Sequence, residues 1–545
     1  MTITRIFQRV EWEVSNRVDL IAFVIVISGF FVYIYYASGY YLNSDEASHF
    51  VFANQETLRE AYTASHSTAH PPLMIMVLHL YLGLGKSVLM LRLLSALLCS
   101  IASWFTFKWL QRTYGSIEAI AGLVLLTFSP AMVSVASEVR QYAMLLFFIC
   151  GALYFAQRFL QEKSLWWGIA YTSFVYGAIL THYSAVWVAL TFAIYVTILL
   201  FRRNPGWQVA LFWGISQAGV AVLYIFLYVT HIRWMLNSGF AQDQIHGYLQ
   251  GEYFSPGAET VLSFVAGNTL DFFSYLMGGR PAGIMGLICF LSGIVYVFGK
   301  RTGNLPYQEK RYEVFLLGLP FLLGALGAVT QVMPFGGSRH SSYLLPFSIA
   351  AMTLCAVHVL SLKRLSLFIM ASLILVPLWL SGWRPPNAVQ GMNDVDMRTA
   401  LKQLNEKAPA PAFLFVDDRT HYILAYYLAR NQSSLKSVRH KTINEFRMGK
   451  HRIVSTRKYA FSPSNFEHEL VTMARSFDLV SGASVWVMTV GWANSEEFDA
   501  FVTNYPRGRI KEHLKFGSIT LLQVTVPPAA FPQDGWSHER SVRHP

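Results

Sequence analysis

Asp45 and Glu46 stand side by side in "YYLNSDEASHF", residues 40–50, just after an unbroken apolar run. Neighbouring carboxylates on an irregular loop point in different directions, so one acid is expected to do chemistry and the other to orient. Two opposed carboxyls would suit glycoside hydrolysis, where an alkoxide leaving group needs a proton. A sugar phosphate leaving group needs none: cations that hold its charge and one base for the acceptor hydroxyl are enough. One base with several cations is what this chain offers. Arg140 in "SEVRQY" and Arg339 in "GGSRH" are candidate cations, with Arg92 a third, because the planar guanidinium fork matches phosphate oxygens. His70 before a proline pair, Tyr142, His182 and Tyr183 in "THY", and His340 have no evident structural task.

These polar groups interrupt a chain that is otherwise strongly apolar. Of 545 residues 54% are hydrophobic and 14% charged, with mean hydropathy +0.37; soluble domains carry roughly 25% charged residues. Several runs of about 18 to 22 apolar residues can each cross a hydrocarbon core, and the chain is expected to be an α-helical integral membrane protein. About eleven spans are expected, near 19–37, 88–107, 116–136, 140–158, 165–182, 184–201, 208–231, 281–299, 313–333, 341–360 and 365–382. The first run lacks a small-residue cleavage site and is expected to be retained. The four cysteines all lie in apolar runs and suggest neither a disulfide framework nor a zinc motif.

The net charge of +12 is topological and not a footprint for nucleic acid. With the N-terminus in the cytoplasm, inward segments carry about 15 Lys and Arg residues against about 6 in the longer outward ones. Every candidate chemical residue then falls on the outward face, where together they could line one cleft. An odd number of spans puts the C-terminal region outside the cytoplasm as well. The expected organisation is a membrane domain over 1–385 with outward juxtamembrane loops at 38–87 and 232–280, an extracytoplasmic α/β domain over 386–527, and a tail over 528–545. Both long loops contain apolar stripes too short to cross, in "HPPLMIMVLHLYLGL" and "SPGAETVLSFVAGNTLDFFSYLMGG". In the tail "AFLFVDD", "ASVWVMTV" and "SITLLQVTV" read as strands, and "THYILAYYLAR" and "SEEFDAFVTNY" as helices.

Plainer readings compete. The acids could belong to a solvated loop that caps a helix starting near Ala47. The prolines suit a helix start, Arg140 could pair with Glu138, and His182 and Tyr183 could be interface anchors. His49, His66, His70 and Asp45 could hold a divalent cation, although their spacing matches no ligand motif. His79 and His358, on apolar stretches, fit packing roles.

Taken in order, "DE" in the first outward loop, "HPPL", "SEVRQYAMLLF", "THYSAVWV" and "SRHSSYLLPF" resemble the polyprenyl-phosphate-sugar glycosyltransferases of the GT-C fold. That group includes the protein O-mannosyltransferases and the bacterial transferases that put aminoarabinose on lipid A. The resemblance covers residues 15–385. It implies a GT-C membrane enzyme moving a sugar, with inversion, from a polyprenyl-phosphate donor to a hydroxyl of a glycan, glycolipid or protein. Asp45 matches the family's first-loop acid and would be the general base, with Glu46 orienting acceptor or base. Arg140, Arg339, His182 and Arg92 would hold the donor phosphate, and His70, Tyr142, Tyr183 and His340 would line the substrate site. Two features depart from the pattern: the tail is not the β-trefoil region of eukaryotic protein mannosyltransferases, and His340 stands where relatives often have an aromatic residue. The rival reading is a transporter or flippase of lipid-linked sugars, which should carry ionisable or broken-helix positions near mid-membrane.

Overall fold

The computed structural model describes residues 17–203, 206–237, 249–299, 312–359, 392–408, 413–435, 437–440, 443–480, 482–491, 496–506 and 509–527. The expected span at 365–382, the side chain of His358 and the tail from 528 lie outside them. The chain divides into two compact units, residues 1–38 with 55–388, and residues 39–54 with 389–545.

In the first unit, seven helices among the described residues are long and apolar enough to cross a membrane: Val18–Ala37, Val88–Thr113, Gln141–Glu162, Ala185–Arg202, Trp207–Leu236, Arg280–Gly299 and Arg339–Val357. They are apolar on nearly every side, as buried or lipid-facing helices must be, and large side chains such as Phe31, Ile215 and Val295 face outward. The remaining expected spans differ for physical reasons. Leu165–Thr181 and Glu313–Val329 have 17 residues each, or about 26 Å of helix, at the short limit for a crossing. The expected 116–136 span is a pair, Ser116–Thr127 and Pro130–Ala136, bent by 60°. Pro130 has no N–H to give to the preceding turn, and Ser129 caps the new helix by accepting from the Met132 N–H at 3.3 Å. The two short stripes are helices Leu73–Tyr81 and Val261–Met277, with Pro72 in the N-cap position of the first.

The second unit is an α/β domain on a seven-stranded sheet in the order β2-β3-β4-β1-β5-β7-β6. The strands are β1 Phe413–Val416, β2 Ser437–His440, β3 Ile443–Met448, β4 His451–Thr456, β5 Ser484–Val490, β6 Ile510–Phe516 and β7 Ile519–Thr525. β1 runs parallel to both β4 and β5, while the outer pairings are antiparallel. Both faces of β1 are covered, so Leu414, Phe415 and Val416 are buried without alternation.

Residues 39–54, which follow the first apolar helix directly, fold with this second unit. Tyr40 bridges Asn393, the Asp394 N–H donates to Gly39 O, and the Ser434 N–H donates to Asn54 O. Between these ends lies the helix Ser44–Ala53, three residues earlier than the cap reading placed it. Its cap is Asn43, whose Oδ1 accepts from the Glu46 N–H at 2.9 Å, while the Glu46 carboxylate accepts from the Asn43 N–H at 3.0 Å. Glu46 is fully buried in this reciprocal box. Glutamine can close the same box, so Glu46→Gln is expected to keep both stability and turnover, whereas Glu46→Ala loses about 1–2 kcal/mol in thermal unfolding. A Gln variant that folds normally yet is inactive would instead give that carboxylate a chemical role.

Candidate active site

Broken helices and turns of the membrane unit deliver a compact polar cluster. The loop after Pro130–Ala136 carries Glu138 and Arg140, and Arg140 is the extended N-cap residue of the helix Gln141–Glu162. Tyr142 follows in its first turn. Helix Leu165–Thr181 ends at His182, also extended, and Ser184 turns back so that its N–H donates to His182 Nδ1 at 3.1 Å. A nitrogen that accepts an N–H carries no proton, so His182 is neutral with its hydrogen on Nε2. That Nε2 is buried and has no partner among the described residues.

Arg339 and His340 open a 3₁₀ turn, Arg339–Leu344, capped by Ser338. The two glycines ahead of it lie against the helix Val261–Met277. A Cβ at Gly336 would stand 2.6 Å from Asn268 Oδ1, and one at Gly337 2.7 Å from the Asp271 carbonyl oxygen. Only glycine permits that approach, which brings Ser338 and Arg339 into place.

Tyr142 is the hub. Its hydroxyl bonds His340 Nδ1 at 3.0 Å, and its ring centroid lies 5.3 Å from that of His182 and 6.3 Å from that of His70. His70 stacks on His182 at 5.0 Å. The Arg140 and Arg339 guanidinium carbons lie 5.7 Å and 5.9 Å from the same Tyr142 ring, within cation–π reach. Arg339 also donates to Glu138 Oε2 at 2.9 Å, so the acid weighed as a partner for Arg140 is bonded to the other arginine.

Six of the ten candidate residues therefore meet: His70, Arg140, Tyr142, His182, Arg339 and His340. Arg92 is buried and gives Nη1 to the Ala37 carbonyl at 2.9 Å, closing the C-terminal end of the first helix. Tyr183 packs against the apolar core beside the cluster's His182. Asp45 and Glu46 belong to the second unit, where Asp45 Oδ1 accepts from Arg419 Nη1 at 2.7 Å. Among the described residues no group of three or more His, Cys, Asp or Glu side chains could hold a metal ion.

Two charged groups beside the candidate residues were not foreseen. Burial pushes Glu252 up to about 7, against the opposing pull of Ser338 and Arg339, beside the cation cluster. Its only sequence signal is an acid in a polar break, "QGEYF", that spacing does not connect to "GGSRH". Arg419 is the other, in "VDDRTHY" at the carboxyl end of β1, where ligands of open α/β sheets gather.

The architecture is that of the GT-C glycosyltransferases, the class whose motifs the sequence resembles. Residues 69–234 match the family of dolichyl-phosphate-mannose-protein mannosyltransferases, a stretch that contains His70, Arg140, Tyr142 and His182. The chain is similar in structure to ArnT from Cupriavidus metallidurans, solved bound to undecaprenyl phosphate, with 11% identity, TM-score 0.53, and coverage of 92% of this chain and 97% of that one. It also matches the archaeal oligosaccharyltransferase AglB from Archaeoglobus fulgidus, in complex with an inhibitory peptide and a dolichol-phosphate, with 9% identity, TM-score 0.43, and coverage of 74% and 59%. No curated protein sequence matches the chain.

Proposed function

We propose that this chain transfers a sugar, with inversion, from a polyprenyl-phosphate-linked donor to an acceptor hydroxyl at the extracytoplasmic surface of the membrane. The observation that carries the reading is the cluster around Tyr142: two arginines and a neutral imidazole N–H that has no partner among the described residues, all in the membrane unit. Such a set suits the phosphate of a lipid-borne donor. Arginine supplies charge and paired donors, and His182 adds a hydrogen bond without adding charge.

The chemistry follows from the leaving group. The acceptor oxygen attacks the anomeric carbon while the bond from that carbon to the phosphate oxygen breaks, its electron pair leaving with the polyprenyl phosphate. Arg140, Arg339 and His182 stabilise the growing negative charge. The acceptor proton passes to the Asp45 carboxylate, acting as general base. Outside the cytoplasm there is no nucleotide sugar to draw on, which favours a lipid carrier and explains why the enzyme is embedded in the bilayer. ArnT, the structural relative, binds a polyprenyl phosphate, and the matched family takes a dolichyl-phosphate sugar; both support this donor class. The acceptor is a glycan, glycolipid or protein of the cell envelope.

The test is to incubate purified protein with a panel of polyprenyl-phosphate sugars and detergent-dispersed envelope material as acceptor, with a divalent ion or a chelator. Mass spectrometry should show one donor consumed and an equal amount of free polyprenyl phosphate formed. Survival of every donor under both conditions would shift the weight to transport.

A further inference from the structure

The second unit holds more than a sheet: it grips the loop that carries Asp45. The segment is tied at both ends by the backbone bonds described above and along its length by side chains. Tyr41 Oη and Ser518 Oγ are 2.6 Å apart, Asn54 Nδ2 donates to the Gln432 carbonyl at 2.8 Å, and Phe50 meets Tyr426 edge to face at 5.0 Å. The helix Ser44–Ala53 packs on the helix Asp418–Ala429, which leaves the carboxyl end of β1.

Arg419 lies in the first turn of that second helix. Asp417 caps the turn, accepting from the Arg419 and Thr420 N–H groups at 3.0 Å and 2.8 Å. The guanidinium is held from its other side by Tyr459, whose ring centroid is 3.8 Å from Cζ. Side-chain exposure is 16% for Arg419 and 13% for Asp45, so their 2.7 Å pair is largely withdrawn from water and is screened far less than a surface ion pair. With its backbone held by the cap and its guanidinium lying over an aromatic ring, Arg419 is an ordered partner, not a passing surface contact.

We infer that Arg419, supplied by the α/β domain, is the positioning residue for Asp45, holding Oδ1 of its carboxylate and favouring the ionised form. This rests on the reading of Asp45 as the base, and it gives the domain a part in the reaction. Among the described residues the ionisable groups around the pair include Glu46 and His49 on the helix of Asp45, Asp417, the first-turn Asp418, His421 and Tyr422 on the helix of Arg419, and Tyr459 against its guanidinium. His49 Nδ1 bonds the Asp45 carbonyl oxygen at 2.8 Å, and His421 lies 3.6 Å from Asp418. Arg419 bonds the Asp45 carboxylate itself.

The test reads the ionisation of Asp45 directly in the full-length protein, by infrared difference spectra of the carboxyl band, wild type minus Asp45→Asn, across pH. In Arg419→Gln the midpoint should rise by about 1–3 pH units, and the acid limb of kcat/KM should rise with it. Arg419→Lys keeps the charge but loses the planar group that reaches Oδ1 from its seat on Tyr459, so the midpoint should stay near wild type while turnover falls about 10–100-fold through misplacement. If Gln at 419 prevents folding, the Lys variant decides alone, and full turnover there overturns the inference. So does an unmoved midpoint in a folded Gln variant. The two failures are separable: an active Asp45→Asn enzyme defeats the base assignment, whereas an inactive one with Arg419→Gln unshifted defeats only the role given to Arg419.

Discussion

Asp45→Asn is expected to lower kcat by about 10²–10⁴, the usual worth of a positioned general base, which is about 3–5 kcal/mol of barrier. Asparagine has nearly the same shape and can still accept from Arg419, so the helix and its cap should survive; thermal unfolding checks that they do. What asparagine cannot do is take a proton. Donor binding should change little, because the cationic cluster around Tyr142 belongs to the membrane unit and is untouched. The signature is a fall in kcat at nearly constant donor KM, measured with the donor found in the panel. Turnover within a few-fold of wild type would remove Asp45 from the chemistry. Glu46→Gln, one residue away, is the internal control: a buried capping group tolerates it, and a base does not.

The contrast between these neighbours shows where sequence reasoning reaches its limit. "DE" after an apolar run marks two acids at a membrane surface, but not that Asn43, three residues before Glu46, closes a box with it. Nor does it show that the loop folds with residues from 389 onward, because the bond between Asp45 and Arg419 spans 374 positions. Apolar runs were legible because lipid demands long continuous stretches, and the strands at 413–416, 484–490 and 519–525 because burial makes them uniformly apolar. β2, β3, β4 and β6 were missed. The edge strand "IKEHLKF" alternates with charge, and short mixed runs such as "INEFRM" lack the continuous apolar stretch that marks a buried strand. The cluster at Tyr142 was half visible. Its members stood out as polar groups at the ends of spans, but their meeting depends on the break at Ser129 and Pro130 and on two glycines lying against a helix.

Arg140 is the cation whose loss should be felt most in that cluster, and charge counting shows how. A polyprenyl-phosphate sugar is a phosphodiester with one negative charge; once the bond to the anomeric carbon breaks, the departing monoester carries up to two. A guanidinium at the phosphate therefore binds the transition state and the product more tightly than the donor, and such interactions raise kcat. Arg140→Gln is expected to reduce kcat/KM by about 10²–10³, the cost of one well-placed donor in such a site. Most of the loss should fall on kcat, with product inhibition by free polyprenyl phosphate weakened in parallel. Arg339 is a less clean target, because its bond to Glu138 at 2.9 Å means that removing it also breaks a buried ion pair and costs the fold stability. The decisive measurement is the affinity of folded Arg140→Gln protein for polyprenyl phosphate alone. Unchanged affinity would mean that Arg140 serves only the entry to its helix, and the phosphate would have to be sought elsewhere.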